Sequence, residues 1–352
     1  MSASAAHPFE SLTPDVVLDA LASVGLYGDG RLMALSSYEN RVYQAHLDTG
    51  EVVVAKFYRP ERWSTAQILE EHQFALELAA AEVPMVAPWL LPRATPDASD
   101  AHGADHPATT LHPWAGFEFS VSPRRGGRRP ELDEPEVLEW IGRFMARLHE
   151  VGARQPFVHR PALNAQTLGA EPVAWLLEHG ALPLEAERPW REAAEAALAL
   201  ARQTLDNAGH PEAPLQTLRL HGDCHPGNIL WTPTDLPGGG PHFVDLDDAR
   251  SGHVVQDLWM LLSGERSQQQ RQLGLLLDGY EQFREFDRRE LALVEPLRTL
   301  RLLHYSAWLA RRWNDPIFPI NFPWFGSSSY WLEQAQALWD QVAAMERAPL
   351  VA

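Results

Sequence analysis

The chain has 352 residues, and its 29 basic and 47 acidic side chains give it a formal net charge of −18. This surplus of negative charge argues against binding to nucleic acid or to anionic membranes, because both would repel the chain. Hydrophobic residues make up 45% of the sequence, so a chain of this length can bury a large core and form two lobes. The single cysteine, Cys224, excludes an internal disulfide and a cysteine-based zinc cluster.

The sequence shows no pattern that would direct the chain to a membrane. The N-terminus has no basic region followed by an apolar run. No apolar stretch is long enough to span a bilayer. A lone cysteine suits a reducing compartment, and together these features predict a cytoplasmic protein without a membrane partner.

The first part of the chain combines strand patterns with one main helix. A strand pattern over 31–47 and a β-branched one over 51–58 predict a hairpin. A helix with apolar residues at helical spacing follows, capped at 64–65. After a polar loop at 97–107, a second strand pair brings the chain to a hinge near Arg125. We therefore expect a small β-rich lobe over residues 1–125.

After this lobe the pattern becomes helical. Apolar residues at helical spacing predict a helix over 134–151, closed by Gly152. The stretch 171–209 is rich in Ala, Leu and Glu and predicts further helices, as does much of the chain after 254. We therefore expect a larger, mostly helical lobe over 126–352, so that the whole chain belongs to the α+β class.

The most informative stretch is 218–252, where a polar loop between two apolar strands carries Asp223 and Asn228, and Asp245 follows the second strand. Asp223 and Asn228 have the D-x-x-x-x-N spacing of a kinase catalytic loop, and Asp245 takes the place of the metal-binding Asp that follows it. In this pattern Asp223 accepts the proton of the attacking hydroxyl. Asn228 and the catalytic carboxylate Asp245 bind Mg²⁺. The stretch therefore predicts ATP-dependent phosphoryl transfer on a bilobal protein-kinase-like fold.

Neighbouring residues in the same stretch allow other interpretations. His221, Cys224 and His225 flank Asp223, and donors so close together could bind zinc in a metal hydrolase. This alternative is weaker, because alternate residues of a strand-end loop point to opposite sides. Cys224 has apolar neighbours that give no reason for a nucleophilic thiolate. Asp257, farther on, is expected to anchor the catalytic loop from a helix N-terminus.

Lys56 ends the apolar strand V-V-V-A-K, which is similar to the V-A-I-K strand of kinases. A lysine at this position would reach the α- and β-phosphates of ATP, held in place by a Glu of the following helix. Glu71 is the expected partner, and Glu70 is the alternative, because neighbouring helical residues point about 100° apart. Taken alone, a lysine after a valine run is usually only the end of a strand.

Ser36, Ser37 and Tyr38 occupy the turn where kinases usually carry a glycine-rich loop. Such a loop offers backbone N–H groups to phosphate, and hydroxyl groups can act as donors instead. We expect these three residues to contact the nucleotide. The alternative is an ordinary polar hairpin turn.

A set of aromatic residues near the C-terminus, accompanied by Arg311 and Arg312, could line a groove for the phosphate acceptor. Packing within the helical lobe is the favoured interpretation, because buried aromatic residues dominate protein cores. The set consists of Trp308, Trp313, Phe322, Trp324, Tyr330 and Trp331.

The motifs H-G-D-x-H-x-x-N at 221–228 and D-x-x-D-A at 245–249 resemble those of the aminoglycoside phosphotransferase and choline kinase superfamily. Further segments, among them S-Y-E-N-R-V-Y-Q and K-F-Y-R-P-E-R-W, resemble its bacterial Ser/Thr protein kinases of the stress response. The resemblance spans nearly the whole chain. It implies ATP and Mg²⁺, protein Ser/Thr acceptors, autophosphorylation, a cytoplasmic monomer and a contact between Ser37 and ATP.

The sequence departs from eukaryotic protein kinases in three places. Gly222 replaces the Arg of the H-R-D motif, Leu246 replaces the Phe of D-F-G, and the A-P-E motif is missing. That Arg would pair with a phosphorylated activation loop. We therefore predict a site that does not need activation-loop phosphorylation.

The motifs leave the nature of the acceptor open. A protein kinase and a small-molecule kinase for an aminoglycoside, choline or a homoserine-like acceptor would share every catalytic residue. A nucleotide-binding scaffold without activity is a third hypothesis, and the intact Lys56, Asp223, Asn228 and Asp245 argue against it. Only the resemblance favours the protein kinase.

Overall fold

A computed structural model describes residues 7–93, 107–209 and 212–352. The chain divides into two compact units. The first runs to Gly127 and includes His242–Asp247, and the second comprises Arg128–Pro241 and Asp248–Ala352. The polar loop predicted at 97–107 lies, except for Pro107, outside the described residues. No helix in the described part of the chain has the length and apolar character needed to cross a membrane.

The first unit is built on a five-stranded antiparallel sheet in the order β1-β2-β3-β5-β4. The segment 31–47 forms two strands rather than one, because the chain turns at 35–40. The strands are β1 (Gly28–Ala34), β2 (Arg41–Leu47), β3 (Val52–Phe57), β4 (His112–Trp114) and β5 (Phe117–Pro123).

The helices α1 (Pro14–Ala22) and α2 (Thr65–Ala80) accompany this sheet. Ser64 caps α2, and its hydroxyl and the side chain of Gln67 bond each other's backbone N–H groups in a capping box. Residues of α1 join Val53, Ala55 and Phe57 of β3 in one apolar core. Because side chains alternate along a strand, Lys56 lies on the opposite face of β3 from this core.

The second unit is mostly helical, with α3 packed on α7 and α5 packed on α10. A π-helical turn (Gln166–Ala170) precedes α4, and 3₁₀ turns occupy Pro226–Asn228 and Arg288–Leu293. Its helices are α3 (Pro135–Gly152), α4 (Glu171–Glu178), α5 (Leu184–Asn207), α6 (Val255–Trp259), α7 (Arg266–Tyr280), α8 (Val294–Arg311), α9 (Ile317–Asn321) and α10 (Ser328–Met345).

Short strands frame the motif stretch. β6 (Leu218–Leu220) pairs with β9 (Arg250–Gly252), and β7 (Ile229–Thr232) forms a second two-stranded sheet with β8 (Gly240–Phe243). The loop between β6 and β7 carries Asp223 and Asn228, and the segment between β8 and β9 carries Asp245. A β-rich first unit and a mostly helical second unit confirm the predicted α+β class.

Candidate active site

The predicted residues fall into two groups, one in each unit. In the first unit, Lys56 of β3 is surrounded by the carboxylates of Glu71, Asp245 and Asp247. We call these four residues the lysine cluster. The Nζ of Lys56 lies 3.0 Å from Asp245 Oδ1, 3.3 Å from Asp247 Oδ1 and 3.9 Å from Glu71 Oε1. Glu71, the expected partner from α2, is buried, whereas Glu70 is partly exposed.

Burial by itself would lower the pKa of the Lys56 ammonium. The negative charges of Asp245, Asp247 and Glu71 outweigh burial, so that the pKa lies well above its ordinary value. Lys56 is therefore charged at neutral pH. Three carboxylates facing one ammonium leave this cluster with a surplus of negative charge.

Asp245 follows β8 in a strained backbone conformation. Its φ of 64° is in the left-handed region, which Asp adopts more readily than most residues. Its side chain is 51% exposed, whereas that of Asp247 is only 8% exposed. Asp245 is therefore the oxygen donor of the cluster that a ligand can reach most easily, and strain of this kind is common at functional sites.

The turn of Ser36, Ser37 and Tyr38 connects β1 to β2. The hydroxyl of Ser37 donates to the carbonyl oxygen of Leu35 at 3.3 Å and accepts from the N–H of Val42 at 3.2 Å. It thus closes the turn, as the alternative interpretation from sequence expected. Ser36 is exposed, and a contact of these residues with ATP stays a prediction.

A buried ion pair, which sequence reasoning missed, holds this turn. Arg59 Nε lies 3.0 Å from Glu39 Oε1, and the N–H of Arg59 donates to Asn40 Oδ1 at 3.0 Å. Arg59 Nη2 also donates to the carbonyl oxygen of Tyr38 at 3.3 Å. In place of a glycine-rich loop, the chain thus has a turn whose backbone is held by Arg59, which follows the end of β3. The quoted segments S-Y-E-N and F-Y-R-P carry these residues, but their pairing was not predicted.

A further feature of Lys56 is visible in the sequence and was missed. Of the 29 basic residues, Lys56 is the only lysine, and all others are arginines. Arginine presents a planar fork, whereas lysine is a compact point charge on a flexible stem, so the two are not interchangeable. In a chain that otherwise uses arginine throughout, one lysine among three carboxylates indicates a specific role.

In the second unit, Asp223 lies on the loop 221–228, which we call the base loop. The carboxylate of Asp257 anchors this loop, because it accepts from the N–H of His221 at 2.9 Å and from that of Gly222 at 2.8 Å. His149 Nε2 lies 3.1 Å from the same carboxylate. All four residues are buried, so the anchor predicted for Asp257 is confirmed.

Gly222 has no room for a side chain. Its φ is 83°, and a Cβ at this position would lie 2.2 Å from the carbonyl oxygen of Asp248. Only glycine adopts this conformation at low cost and permits so close an approach. The Arg of other kinases is therefore excluded at 222 by the backbone itself.

Asn228 and Asp223 are in contact within the base loop. Asn228 Nδ2 donates to the backbone carbonyl of Asp223 at 3.0 Å, which leaves Oδ1 as the oxygen available to a ligand. The carboxylate of Asp223 accepts from Arg301 Nη1 at 2.5 Å, and His225 Nε2 lies 3.6 Å from it. Arg301 belongs to α8, far along the chain, and no local pattern would have identified it.

The pKa of Asp223 lies above its ordinary value. Burial raises it most, Arg301 and His225 partly counteract this, and Asp248 raises it further. A carboxylate in such surroundings binds a proton more readily than an exposed one. This is the property that a general base needs when it takes the proton of an attacking hydroxyl.

The other interpretations of the base loop find little support. Cys224 is buried, and burial raises the pKa of its thiol well above the ordinary value, which disfavours a nucleophilic thiolate. His221 is also fully buried. Over the described ranges, no group of three or more His, Cys, Asp or Glu side chains is arranged to hold a metal ion.

Two residues of the aromatic set, Tyr330 and Trp331, belong to the core of the second unit. Trp331 is fully buried and packs edge-on against Trp190, with ring centroids 5.6 Å apart. Tyr330 is buried as well, and only Trp324 of the set is largely exposed. Packing, the favoured interpretation, accounts for Tyr330 and Trp331, whereas Trp308, Trp313 and Phe322 are half-buried.

Known proteins that are similar to this chain are phosphotransferases and kinases. The sequence matches the phosphotransferase enzyme family over residues 32–294. Stress response kinase A of Escherichia coli (strain K12) is 42% identical over 347 residues, which cover 99% of this chain and 98% of that protein. Serine/threonine protein kinase RdoA of Salmonella typhimurium (strain LT2) is 41% identical over 345 residues, 98% of this chain and 97% of that protein.

Two solved structures share the fold. The amicoumacin kinase hAmiN, in complex with AMP-PNP and Ca²⁺, is similar with a TM-score of 0.67 and 18% identity, over 96% of this chain and 94% of that one. A microcompartment-associated aminopropanol kinase has a TM-score of 0.63 and 18% identity, over 95% and 97% of the two chains. At this identity, the likeness shows the fold alone.

Proposed function

The chain belongs to the phosphotransferase enzyme family and is a kinase, and from this premise we propose that it phosphorylates Ser and Thr side chains of proteins. It uses ATP and Mg²⁺, also phosphorylates itself, and works as a cytoplasmic monomer in the bacterial stress response. The observation that carries this proposal is the 41% identity, over nearly the whole chain, to a protein named a serine/threonine protein kinase.

Each group of residues has a role in this proposal. Lys56 binds the phosphates of ATP, and Glu71 holds the ammonium in place. Ser36, Ser37 and Tyr38 contact the nucleotide from the turn between β1 and β2. Asp223 accepts the proton of the acceptor hydroxyl as the oxygen attacks the γ-phosphorus.

The donor set fits Mg²⁺. Asp245 offers an exposed carboxylate in a cluster with surplus negative charge, and Asn228 offers its amide oxygen. Magnesium prefers such oxygen donors and takes its remaining ligands from water and substrate phosphates. When bound, the ion supplies positive charge that neutralises and orients the triphosphate. Asp245 and Asn228 would hold it.

A small-molecule kinase is the second candidate. The two solved structures that share the fold are named as kinases of amicoumacin and aminopropanol, which are small molecules. The catalytic residues are the same in either case. We favour the protein acceptor, because the relatives with 41–42% identity carry the protein kinase and stress response names, whereas these structures are 18% identical.

The test is incubation with γ-labelled ATP and Mg²⁺, alone, with a general protein substrate, and with small amino alcohols or aminoglycosides. We expect label on the enzyme and on the protein substrate, and none with Asp223→Ala. Equal label on protein with the wild-type enzyme and with Asp223→Ala would exclude transfer by this chain. Label confined to a small alcohol would establish the second candidate instead.

A further inference from the structure

Arg301 of α8 lies beside the proposed base. Its Nη1 donates to Asp223 Oδ1 at 2.5 Å, and Asp223 is its only hydrogen-bond partner among the described residues. The side chain is 39% exposed, and its guanidinium carries four further N–H donors. An acceptor hydroxyl that reaches Asp223 must therefore approach close to a positive charge with unused donors.

Apart from Asp223 itself, the neighbouring groups add no unbalanced negative charge beside Arg301. Asp248 is near enough to raise the pKa of Asp223. However, the carboxylate of Asp248 lies 3.5 Å from Arg250 Nη2. Each of the two carboxylates thus faces an arginine, and His225 lies beside Asp223 as well. This part of the second unit lacks the surplus of negative charge that would attract a cationic acceptor such as an aminoglycoside.

The helix that carries Arg301 continues with aromatic residues. Tyr305 and Trp308 follow at helical spacing on the same face of α8, with stacked rings whose centroids are 5.7 Å apart. Both are only partly buried. A positive charge followed by a partly open aromatic surface suits an extended peptide better than a compact polar molecule.

We propose that Arg301 selects the acceptor by binding an anionic side chain next to the hydroxyl, so that the preferred acceptor is a Ser or Thr flanked by Asp or Glu. This inference rests on the proposed protein kinase function. In the transfer, the acceptor oxygen forms a bond to the γ-phosphorus and the bond to the β,γ-bridging oxygen breaks. The hydroxyl proton passes to Asp223, and ADP leaves.

The test uses three peptides that differ only in the residue next to one Ser, which is Glu, Gln or Lys. With the wild-type enzyme we expect kcat/KM to fall in this order, with the Glu and Lys peptides differing by about tenfold or more. Arg301→Gln lowers all three rates and brings the ratio between them close to unity. Arg301→Lys keeps the charge and retains the preference.

Arg298→Gln is the matched control. Arg298 is on the same helix and bonds Glu295 at 2.9 Å and Gln269 at 3.2 Å, with no bond to Asp223. We expect it to keep the wild-type ratio. Equal rates for the three wild-type reactions, or a ratio unchanged in Arg301→Gln, overturn the inference and leave the protein kinase function standing. Label on a small alcohol and on no peptide overturns that function and the inference with it.

Discussion

The two groups of the candidate active site have opposite charge arrangements. In the lysine cluster of the first unit, one cation faces three carboxylates. In the base loop of the second unit, the carboxylate of Asp223 faces Arg301 and His225. Negative charge is in excess in the first group, whereas in the second group the carboxylate of Asp223 is balanced by Arg301.

This difference indicates which ligand each group can accept. An excess of carboxylates stabilises a further cation, so the lysine cluster suits a metal ion that arrives with a polyphosphate. Around Asp223 the charges are balanced by arginines, and the carboxylate keeps its proton affinity through burial. In the proposed function, the first group binds the nucleotide and supplies the metal ligand Asp245, whereas the second group supplies the general base Asp223.

The largest effect is expected from Asp223→Asn. Asparagine keeps the size of the side chain but cannot accept the proton, so kcat should fall by about 10²–10⁴. The KM for ATP should stay within a few-fold of the wild-type value, because Asp223 is not part of the lysine cluster. Steady-state ADP release measures both. A fall in ATP affinity without a fall in kcat would contradict the division of roles.

Lys56→Met should instead weaken the interaction of the enzyme with ATP. Loss of one preorganised positive group typically costs about 10²–10³ in rate, and here the loss should appear in kcat/KM for ATP. The buried carboxylates Glu71 and Asp247 also lose their cation, so we expect a lower Tm as well. Lys56→Arg is the sharper comparison, because it keeps the charge. If it were fully active, the presence of a single lysine among arginines would have no catalytic reason.

Local patterns predicted much of this molecule correctly. The capped helix α2 and the hairpin of β4 and β5 follow from residues that are neighbours in sequence, and the base loop follows from a short motif. Arg301 was missed because it meets Asp223 across 78 residues, and the pair of Arg59 with Glu39 was missed for the same reason. Such pairings depend on the three-dimensional fold, which the spacing of apolar residues along the sequence does not predict.

The structure also adds a reason to a residue that the sequence only identified. Gly222 was noted as a departure from H-R-D, but its conformation and its approach to Asp248 are properties of the folded backbone. The only lysine is a different case. Lys56 is visible in the sequence as the only lysine, but a net charge that counts Lys and Arg together does not reveal this.

Gly222→Ala tests how rigidly the base loop is held. A Cβ would meet the Asp248 carbonyl oxygen at 2.2 Å in a backbone conformation with a φ of 83°, so we expect destabilisation by about 3 kcal/mol and a displaced Asp223. Gly50→Ala is the control from the first unit, because its φ of 89° is similar but a Cβ there meets nothing within 4 Å. It should cost only about 1 kcal/mol and leave activity unchanged. Equal costs in urea unfolding would show that the close approach is unimportant.

The smallest effect concerns the support of the base loop and its dependence on pH. Glu290 Oε2 accepts from the N–H of Val255 at 2.8 Å, at the start of the helix that carries Asp257. Burial raises the pKa of Glu290 from 4.5 to about 7. Because the folded state holds this proton more tightly, the stabilising contribution is complete below pH 4.5 and is lost as the pH rises through 7. Between pH 5 and pH 7 the free energy of unfolding should fall by about 2 kcal/mol from this group.

Glu290→Gln keeps the acceptor for Val255 but cannot ionise. We therefore expect the variant to match the wild type near pH 5 and to exceed it in stability at pH 8, whereas exposed Glu333→Gln changes nothing at either pH. Lys56 keeps its charge over this range, because its carboxylate neighbours hold its pKa well above the ordinary value. The charge of Lys56 should then be insensitive to pH over the range in which the support of the base loop is not. A difference between Glu290→Gln and wild type that did not grow with pH would mean that Glu290 is already charged in the folded state.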